Sequence, residues 1–294
     1  MDKTQLESTR KAGQIAKQVK EYAKKMVKPG MKLLEIADKI ESKIKELAGE
    51  VAFPCNLGIN EYTAHYTPGY NDEIVASGLL KVDFGVSVDD YTVDNAFSID
   101  LENNEENIRL IRTSEEALQK AIESVKQNKS LGEIGKSIQN TAEQSGFSPI
   151  RNLSGHSIEK NSLHAGITIP NINNNNPNFL EDGVYAIEPF ITKGIGEVYD
   201  GKESGIYELR NLKNIRDMKS REILNFISEN YNTLPFCSRW LVKKFGTRAL
   251  ISLKLLEQAG VLHQFSHLIE KSKSKVAQTE ATIIIENRKV EVVT

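Results

Sequence analysis

Residues 82–97 read VDFGVSVDDYTVDNAF, two strand-like runs joined by a short acidic turn. With the turn at Val88 and Asp89, the spacing predicts a β-hairpin in which Asp83 and Asp94 face each other. One face of this hairpin is apolar and belongs to a core, and the other carries both aspartates among small residues. Like charges directly opposite each other destabilise a sheet. Either this face is open to water, or a cation lies between the carboxylates.

The segments before and after the hairpin resemble each other. VKPGMKLLEIADKIE, which starts at Val27, and VKQNKSLGEIGKSIQ, which starts at Val125, share six of fifteen residues at an offset of 98. Two amphipathic helices can share an apolar stripe by chance, but the period of a helix does not explain the matched Val-Lys pair. The sequence therefore predicts a duplication, in which each half has two helices followed by strands.

Further polar residues interrupt apolar segments later in the chain. NLSGHSIEKNSLHAG contains His156 and His164, AIEPF contains Glu188, and VAQTEATIII contains Glu280. Strand propensity does not favour glutamate at such positions. Each residue has an ordinary explanation, as a hydrogen-bonded core histidine or a glutamate that faces water. One shared site explains them together better than several separate exceptions.

The combination of ligands indicates the chemistry. Two aspartates, two glutamates and one histidine suit hard or borderline divalent ions, whereas structural zinc prefers cysteine and histidine. Four carboxylates balance two divalent ions in charge, and such a pair activates water and polarises a carbonyl group. Metal-assisted hydrolysis is therefore expected, with Fe, Mn, Co or Zn as the metal. In that case Gly85 and Ala96 are small because the ions and the substrate need the space.

Several motifs together resemble type 2 methionine aminopeptidases of the short, archaeal kind, over essentially the whole chain. They are AHYTP with His65, VDFGV, VDNAF, LSGHSIEKNSLHAG, AIEPF, NTLPFCSRWL and AQTEATIII. The resemblance implies the α+β pita-bread fold, in which two pseudo-symmetric halves surround an antiparallel sheet. It also implies a catalytic domain formed by residues 1–204 and 269–294, with a helical insertion subdomain at residues 205–268.

The same resemblance implies a role for each metal position. Asp83 would chelate one ion, Asp94 and Glu280 would bridge two ions, and His156 with Glu188 would complete the second site. Glu188 would also carry a proton from the attacking water to the leaving amine.

The substrate implied by the family is a nascent polypeptide whose N-terminal methionine is removed when the second residue is small. His65 and His164 match histidines that orient the substrate carbonyl and stabilise the tetrahedral intermediate. Five apolar residues match the wall of the methionine pocket: Phe53, Leu163, Phe190, Phe265 and Leu268.

The sequence departs from the family around the last ligand. Members of the family usually have an aromatic residue before this glutamate and a histidine after it, where this chain has Thr279 and Ala281. Because groups around a metal ligand tune its affinity, we expect weaker metal binding or a different metal preference.

Composition favours a globular protein that acts through a site. The 294 residues include 38 Lys and Arg against 40 Asp and Glu, so no basic patch predicts nucleic-acid or membrane binding. The N-terminus lacks the apolar core of a signal peptide, and we expect a cytoplasmic monomer that meets its substrates at the ribosome.

Two other functions are compatible with this fold: a catalytically inactive pita-bread protein that binds RNA or a protein partner, and a proline dipeptidase-like hydrolase. Members of the first group lose metal ligands, and members of the second usually carry a large N-terminal domain.

Overall fold

The computed structural model describes residues 1–294. The first half contains two helices followed by five strands. These elements are α1 (Lys3–Met26), α2 (Leu33–Glu46), β1 (Glu50–Val51), β2 (Asn56–Ile59), β3 (Tyr62–Ala64), β4 (Leu79–Val88) and β5 (Tyr91–Asp100).

The second half also begins with two helices, followed by short strands. These elements are α3 (Glu105–Lys126), α4 (Leu131–Gln144), β6 (Ser148–Pro149), β7 (Ser154–Ile158), β8 (Thr168–Pro170), β9 (Gly183–Ile187) and β10 (Phe190–Thr192). Helices α2 and α4 each have 14 residues, and their ends differ by the predicted offset of 98 positions. The structure therefore agrees with the predicted duplication.

Three helices and six strands complete the chain. They are β11 (Val198–Leu209), α5 (Met218–Asn230), β12 (Phe236–Cys237), α6 (Ser238–Phe245), α7 (Ala249–Gln258), β13 (Leu262–Glu270), β14 (Val276–Gln278), β15 (Ala281–Glu286) and β16 (Lys289–Val292). None of the helices combines the length and the apolar composition needed to cross a membrane.

Local sequence signals define the helix ends. The Asp2 carboxylate accepts a hydrogen bond from the Gln5 amide and caps α1, and Gly30 with a φ of 81° lies between α1 and α2. Ser130 and Glu133 form a capping box at the start of α4. These contacts satisfy amide groups that have no partner within the helix.

The strands form four sheets in which every pairing is antiparallel. Helices α1 and α2 share one apolar core with β4 and β5, and α3 and α4 share a second core with β9 and β15. Each pair of helices thus covers the strands of its own half. The predicted α+β architecture is confirmed.

The register of the β4–β5 hairpin differs from the predicted one. Asp89 and Asp90 form the turn, and both have positive φ angles, of 51° and 68°. A two-residue turn with two positive φ angles matches the twist of a hairpin. Asp83 consequently pairs with Ala96, and Asp94 pairs with Gly85. The prediction that the two aspartates are directly opposite was wrong by two positions, but an even shift keeps both on the same face.

Helices α5 to α7 lie between the paired strands β11 and β13 and have their own apolar core of 11 buried residues. The two strands overlap the ends of the segment 205–268, so its helical part runs from Met218 to Gln258. The division into a catalytic domain and an insertion subdomain remains a prediction.

Candidate metal centre and active site

A single cavity of about 390 Å³ is lined by all twelve residues that the sequence predicted for the site. They come from segments that are far apart in the chain: Phe53, His65, Asp83, Asp94, His156, Leu163, His164, Glu188, Phe190, Phe265, Leu268 and Glu280. The fold therefore brings the predicted metal ligands, histidines and apolar residues to one place.

The two glutamates lie where neighbouring strands pass from one sheet to the next. Strand β15 pairs with β9 through Ala281 and Ile187, whereas β14 pairs with β10 through Gln278 and Phe190. Glu188 and Glu280 occupy the short breaks between these strands. Because the ladder is interrupted there, both side chains can reach the cavity instead of a sheet face.

The ligand atoms of Asp94, His156 and Glu280 all lie within 4.8 Å of one another, and all three residues are buried. The distance from His156 Nε2 is 3.6 Å to Asp94 Oδ2 and 4.0 Å to Glu188 Oε1. Carboxylate oxygens and an imidazole nitrogen at such separations can bind a common cation.

The backbone around Asp94 is fixed by the last strands. The Asp94 amide donates to Thr282 Oγ1, and the same hydroxyl donates to the Asp94 carbonyl, each at 2.8 Å. The Glu280 amide donates to the Ala96 carbonyl at 2.9 Å. The two segments that carry the predicted bridging ligands Asp94 and Glu280 are thus hydrogen-bonded to each other.

Removal from water and mutual repulsion dominate the electrostatics of the cluster. They raise the pKa values of Asp83, Glu188 and Glu280 well above their ordinary range, and burial raises the pKa of Asp94 to about 7. Burial lowers the pKa of His156 to about 4. The imidazole is therefore neutral at pH 7, which is the form that binds metal.

Two carboxylate oxygens in the cluster have no hydrogen-bond partner. Asp83 Oδ1 and Glu280 Oε1 are both inaccessible to solvent and unpaired. Buried polar atoms in proteins are rarely left without a partner. Together with the oxygen-rich ligands, these orphaned atoms fit a divalent metal ion, whose charge would offset the repulsion between the carboxylates.

His65 and His164 lie in the cavity without forming an ion pair. His65 has a φ of 60°, its Nδ1 is 3.2 Å from the Ser266 carbonyl, and burial lowers its pKa to about 4. The His164 ring centre is 4.5 Å from that of His156, and its pKa is also lowered, by the surrounding protein and by His156. Both imidazoles are therefore neutral hydrogen-bonding groups at pH 7.

The apolar part of the cavity is formed by the predicted residues and by some that sequence reasoning missed. Phe53, Leu163 and Phe190 are buried, and Phe265 and Leu268 are partly exposed. The missed lining residues include Asn56, Ile206 and Pro235. Pro235 belongs to the quoted NTLPFCSRWL motif, and Ile206 lies near the start of the predicted insertion, but neither position indicated a cavity from the sequence alone.

Gly85 has a different reason for being small than the predicted one. A Cβ atom at this position would lie 2.3 Å from Phe53 Cε1 and 2.9 Å from the Ala52 Cβ. The space beside Gly85 is therefore filled by the ring of Phe53, and not by ions or substrate. The expectation for Gly85 was wrong, although the residue does support the cavity wall.

The unusual residues around Glu280 are both buried. Thr279 Oγ1 is 2.6 Å from Ser114 Oγ on α3, and Ala281 pairs with Ile187 in the sheet. The threonine hydroxyl thus has a hydrogen-bond partner away from the metal ligands. The predicted effect on metal affinity stays a prediction.

A sequence model described as metallopeptidase family M24 matches residues 7–218. The chain therefore belongs to metallopeptidase family M24, whose members use divalent metal. It is 42% identical over 286 residues to the methionine aminopeptidase of Methanocaldococcus jannaschii, and the match covers 96% of each chain. Within the family, the chain therefore belongs with the methionine aminopeptidases.

Solved structures give the same fold. A thermophilic Arx1 matches with a TM-score of 0.86 at 17% identity, covering all of this chain and 91% of that one. The methionine aminopeptidase of Thermotoga maritima matches with a TM-score of 0.72 at 21% identity, covering all of this chain and 98% of that one. The predicted pita-bread fold is confirmed.

Proposed function

We propose that this protein is a dinuclear-metal aminopeptidase that removes the N-terminal methionine from polypeptides whose second residue is small. The observation that carries the proposal is the convergence of four carboxylates and a neutral histidine in one cavity, with two carboxylate oxygens unpaired. The membership of the methionine aminopeptidases supports the reaction.

The five ligands of the proposed centre are Asp83, Asp94, His156, Glu188 and Glu280. Two divalent ions, chosen from Fe, Mn, Co and Zn, would balance the four carboxylates and supply Lewis acidity for attack of water on a peptide carbonyl. A single ion would leave excess negative charge in a site that is shielded from bulk water.

Glu188 has a second role besides metal binding, and the two histidines have roles that need no metal. Glu188 is partly open to the cavity, so it can accept a proton and deliver it to the leaving amine. His65 and His164 are neutral and can donate hydrogen bonds to the substrate carbonyl as its oxygen becomes negative.

The apolar wall suits the first side chain of the substrate. Phe53, Leu163, Phe190, Phe265 and Leu268 would surround the unbranched, polarisable methionine side chain, which fills irregular apolar space well. Ile206 and Pro235 line the same cavity and extend this wall.

The Phe53 ring gives a test of this pocket. Replacing Gly85 with alanine is expected to displace the ring and raise KM for Met-Ala-Ser about tenfold with little change in kcat, at a stability cost of about 1–3 kcal/mol. Steady-state kinetics and urea unfolding measure both effects. Gly69→Ala is a suitable control, because an added Cβ there has no neighbour within 4 Å. An unchanged KM in the Gly85 variant would remove Phe53 from the pocket.

Nascent polypeptides are the partners that this activity requires. Such chains are met at the ribosome in the cytoplasm, and we place the protein there as a monomer. The net charge of −2 gives no reason to propose direct nucleic-acid binding.

The alternative of an inactive binding protein has less support, since all five proposed ligands are present. The proline dipeptidase alternative is less well supported than methionine aminopeptidase activity, because a methionine aminopeptidase matches nearly the full chain.

The proposed function is tested with metal-stripped protein to which one divalent ion at a time is restored. Met-Ala-Ser should be cleaved to methionine and Ala-Ser, and Met-Asp-Ser should be cleaved at least about a hundredfold more slowly, since excluding a bulkier charged side chain from a crowded pocket yields such ratios. Failure of every ion to restore cleavage of Met-Ala-Ser would refute the catalytic proposal. Equal cleavage of both peptides would refute the proposed specificity.

A further inference from the structure

A second cavity, of about 340 Å³, adjoins the active-site cavity. The two cavities share four lining residues, which are Leu163, His164, Pro235 and Phe265. Phe265 connects them most directly, because it lines both and the centre of its ring is 5.3 Å from that of His65. Cavities of about 340, 450 and 560 Å³ elsewhere share no lining residue with the active-site cavity. A ligand of the active-site cavity therefore has adjoining space into which it can extend.

Beyond the shared residues the second cavity is mostly polar. This part, the outer groove, is lined by Asn161, Ser162, Glu208, Leu209, Arg210 and Thr233. Asn161 and Ser162 belong to the loop between β7 and β8 that also carries His164. The Thr233 hydroxyl donates to the Asn161 carbonyl, and the Asn161 amide donates to the Asp90 carbonyl at 3.2 Å. The outer groove thus lies between two segments that are hydrogen-bonded to each other.

The outer groove offers both donors and acceptors of hydrogen bonds. The exposed guanidinium of Arg210 pairs with the largely buried Glu208 through its Nε atom, so its two terminal nitrogens are free to bind another group. The hydroxyl of Ser162 and the carboxamide of Asn161 can each donate and accept. A polypeptide main chain, in which N–H and C=O groups alternate, complements this lining.

A substrate of the proposed function extends beyond the active-site cavity. The methionine side chain takes the apolar wall, and the carbonyl of the bond to be cleaved faces His164 in that proposal. Each further residue of an extended chain spans about 3.3–3.6 Å, so the residues after the second lie beyond His164. The outer groove begins at this histidine, because His164 lines both cavities.

We propose that the outer groove binds the main chain of the third to fifth residues of the substrate, with Arg210 donating hydrogen bonds to its carbonyl groups. This inference rests on the proposed function and adds a binding site outside the predicted site residues. Binding through the main chain suits nascent polypeptides, which share their backbone and differ in their side chains. Segment 205–268 then takes part in substrate binding, because Arg210 and Thr233 belong to it.

The test compares Met-Ala amide with the pentapeptide amide Met-Ala-Ser-Gly-Ser, using protein loaded with the ion that restores cleavage of Met-Ala-Ser. The length preference is the kcat/KM of the longer peptide divided by that of the shorter one. Ser162→Trp places an indole ring in the outer groove, and Arg210→Met removes the guanidinium but keeps an unbranched side chain. Ser228→Trp is the matched control, because Ser228 is also half-buried but lines a separate cavity.

We expect the wild type to have a length preference of about tenfold, the effect of one or two hydrogen bonds. Ser162→Trp should lower this preference to about one, and Arg210→Met should lower it about threefold, as expected for one lost hydrogen bond. Both variants should cleave Met-Ala amide as the wild type does, since this peptide does not reach the outer groove. Ser228→Trp should keep the wild-type preference.

Other outcomes overturn the proposal. Equal cleavage of both peptides by the wild type would show that the outer groove does not bind the chain. An unchanged preference in Ser162→Trp would place the chain elsewhere, and an unchanged preference in Arg210→Met would exclude its hydrogen bonds. If Ser162→Trp is inactive because it disturbs the neighbouring His164, Arg210→Met on the opposite wall still decides. Cleavage of Met-Ala-Ser by the wild type would separate each of these outcomes from a failure of the proposed function.

Discussion

An Asp94→Asn variant is expected to cleave Met-Ala-Ser with less than about one hundredth of the wild-type kcat/KM. Mutating residues that contact a metal ligand lowers activity by about 10–100-fold, and changing a ligand itself should cost at least as much. The Asp94 carboxylate lies 3.6 Å from His156 and shares its ligand group with Glu280. Asparagine keeps the shape of the side chain and the backbone contacts to Thr282, but it replaces an anionic oxygen with a neutral one. Metal affinity should fall together with activity, which calorimetric titration measures.

The metal-free variant should nevertheless be more stable than the metal-free wild type near neutral pH. The pKa of Asp94 is about 7 in the folded protein, above its value of about 4 in an unfolded chain. The folded state therefore holds the proton more tightly, and the wild type loses stability as the pH rises from about 4 to about 7. The melting temperature of Asp94→Asn should exceed that of the wild type at about pH 8 but not at about pH 4.

Asp90→Asn is the matched control for this variant. Asp90 lies in the turn of the same hairpin and is exposed, and its side chain forms a surface ion pair with Lys160 at 3.4 Å. It should keep full activity and wild-type metal affinity. Full activity in Asp94→Asn would instead exclude Asp94 from the metal centre.

Replacing Arg239 with methionine is expected to lower the free energy of unfolding by about 3 kcal/mol or more, the usual cost of breaking a buried ion pair. Arg239 on α6 is 2% exposed and donates to both oxygens of Glu41 on α2, at 2.7 and 2.9 Å. It also donates to the Pro68 carbonyl at 3.0 Å. Removing the guanidinium would leave Glu41 buried with an uncompensated charge.

The same arginine supports the segment that carries His65. Glu41 accepts a hydrogen bond from the Cys55 amide, and the Cys55 carbonyl accepts one from Thr67. Both ends of the segment from Cys55 to Pro68 are therefore held by the Arg239–Glu41 pair. Loss of the arginine should reduce kcat as well as stability, because His65 would no longer be held in its conformation with positive φ.

Urea unfolding of three variants tests this account. Lys243→Met on the same helix removes an exposed ion pair with Asp38 and should cost less than about 1 kcal/mol. Combining Arg239→Met with Glu41→Met should recover part of the lost stability, since a buried ion pair can often be replaced by apolar residues. If Arg239→Met unfolds at the same urea concentration as Lys243→Met, the buried pair does not stabilise the protein.

Local sequence patterns predicted much of the fold. Helices α2 and α4 could be matched at an offset of 98 because the apolar spacing of a helix can be recognised within a few of its turns. The hairpin register was predicted wrongly although the sequence carries a signal for it. A two-residue hairpin turn needs two positive φ angles, which Asp89 and Asp90 adopt and which a β-branched residue such as Val88 strongly disfavours.

In the site too, residues could be predicted where the neighbouring sequence marks them, but not where their position depends on contacts between distant segments. Glu188 and Glu280 could be identified because a glutamate in an apolar segment is unusual, although the structure places both in short breaks between strands. Asn56, which lines the same cavity, could not be identified, since its position there depends on its pairing with Asp83 across two strands. The packing of Phe53 against Gly85 was likewise hidden, because it depends on how a loop folds back over β4.

The location of bound metal tests the central claim most directly. Crystals of metal-stripped protein soaked in Mn²⁺ would be measured for anomalous scattering from manganese. We predict two peaks in the cavity, both within bonding distance of Asp94 and Glu280, one also bonded to Asp83 and the other to His156 and Glu188. The absence of any peak in this cavity, under conditions in which Mn²⁺ restores cleavage of Met-Ala-Ser, would contradict the account.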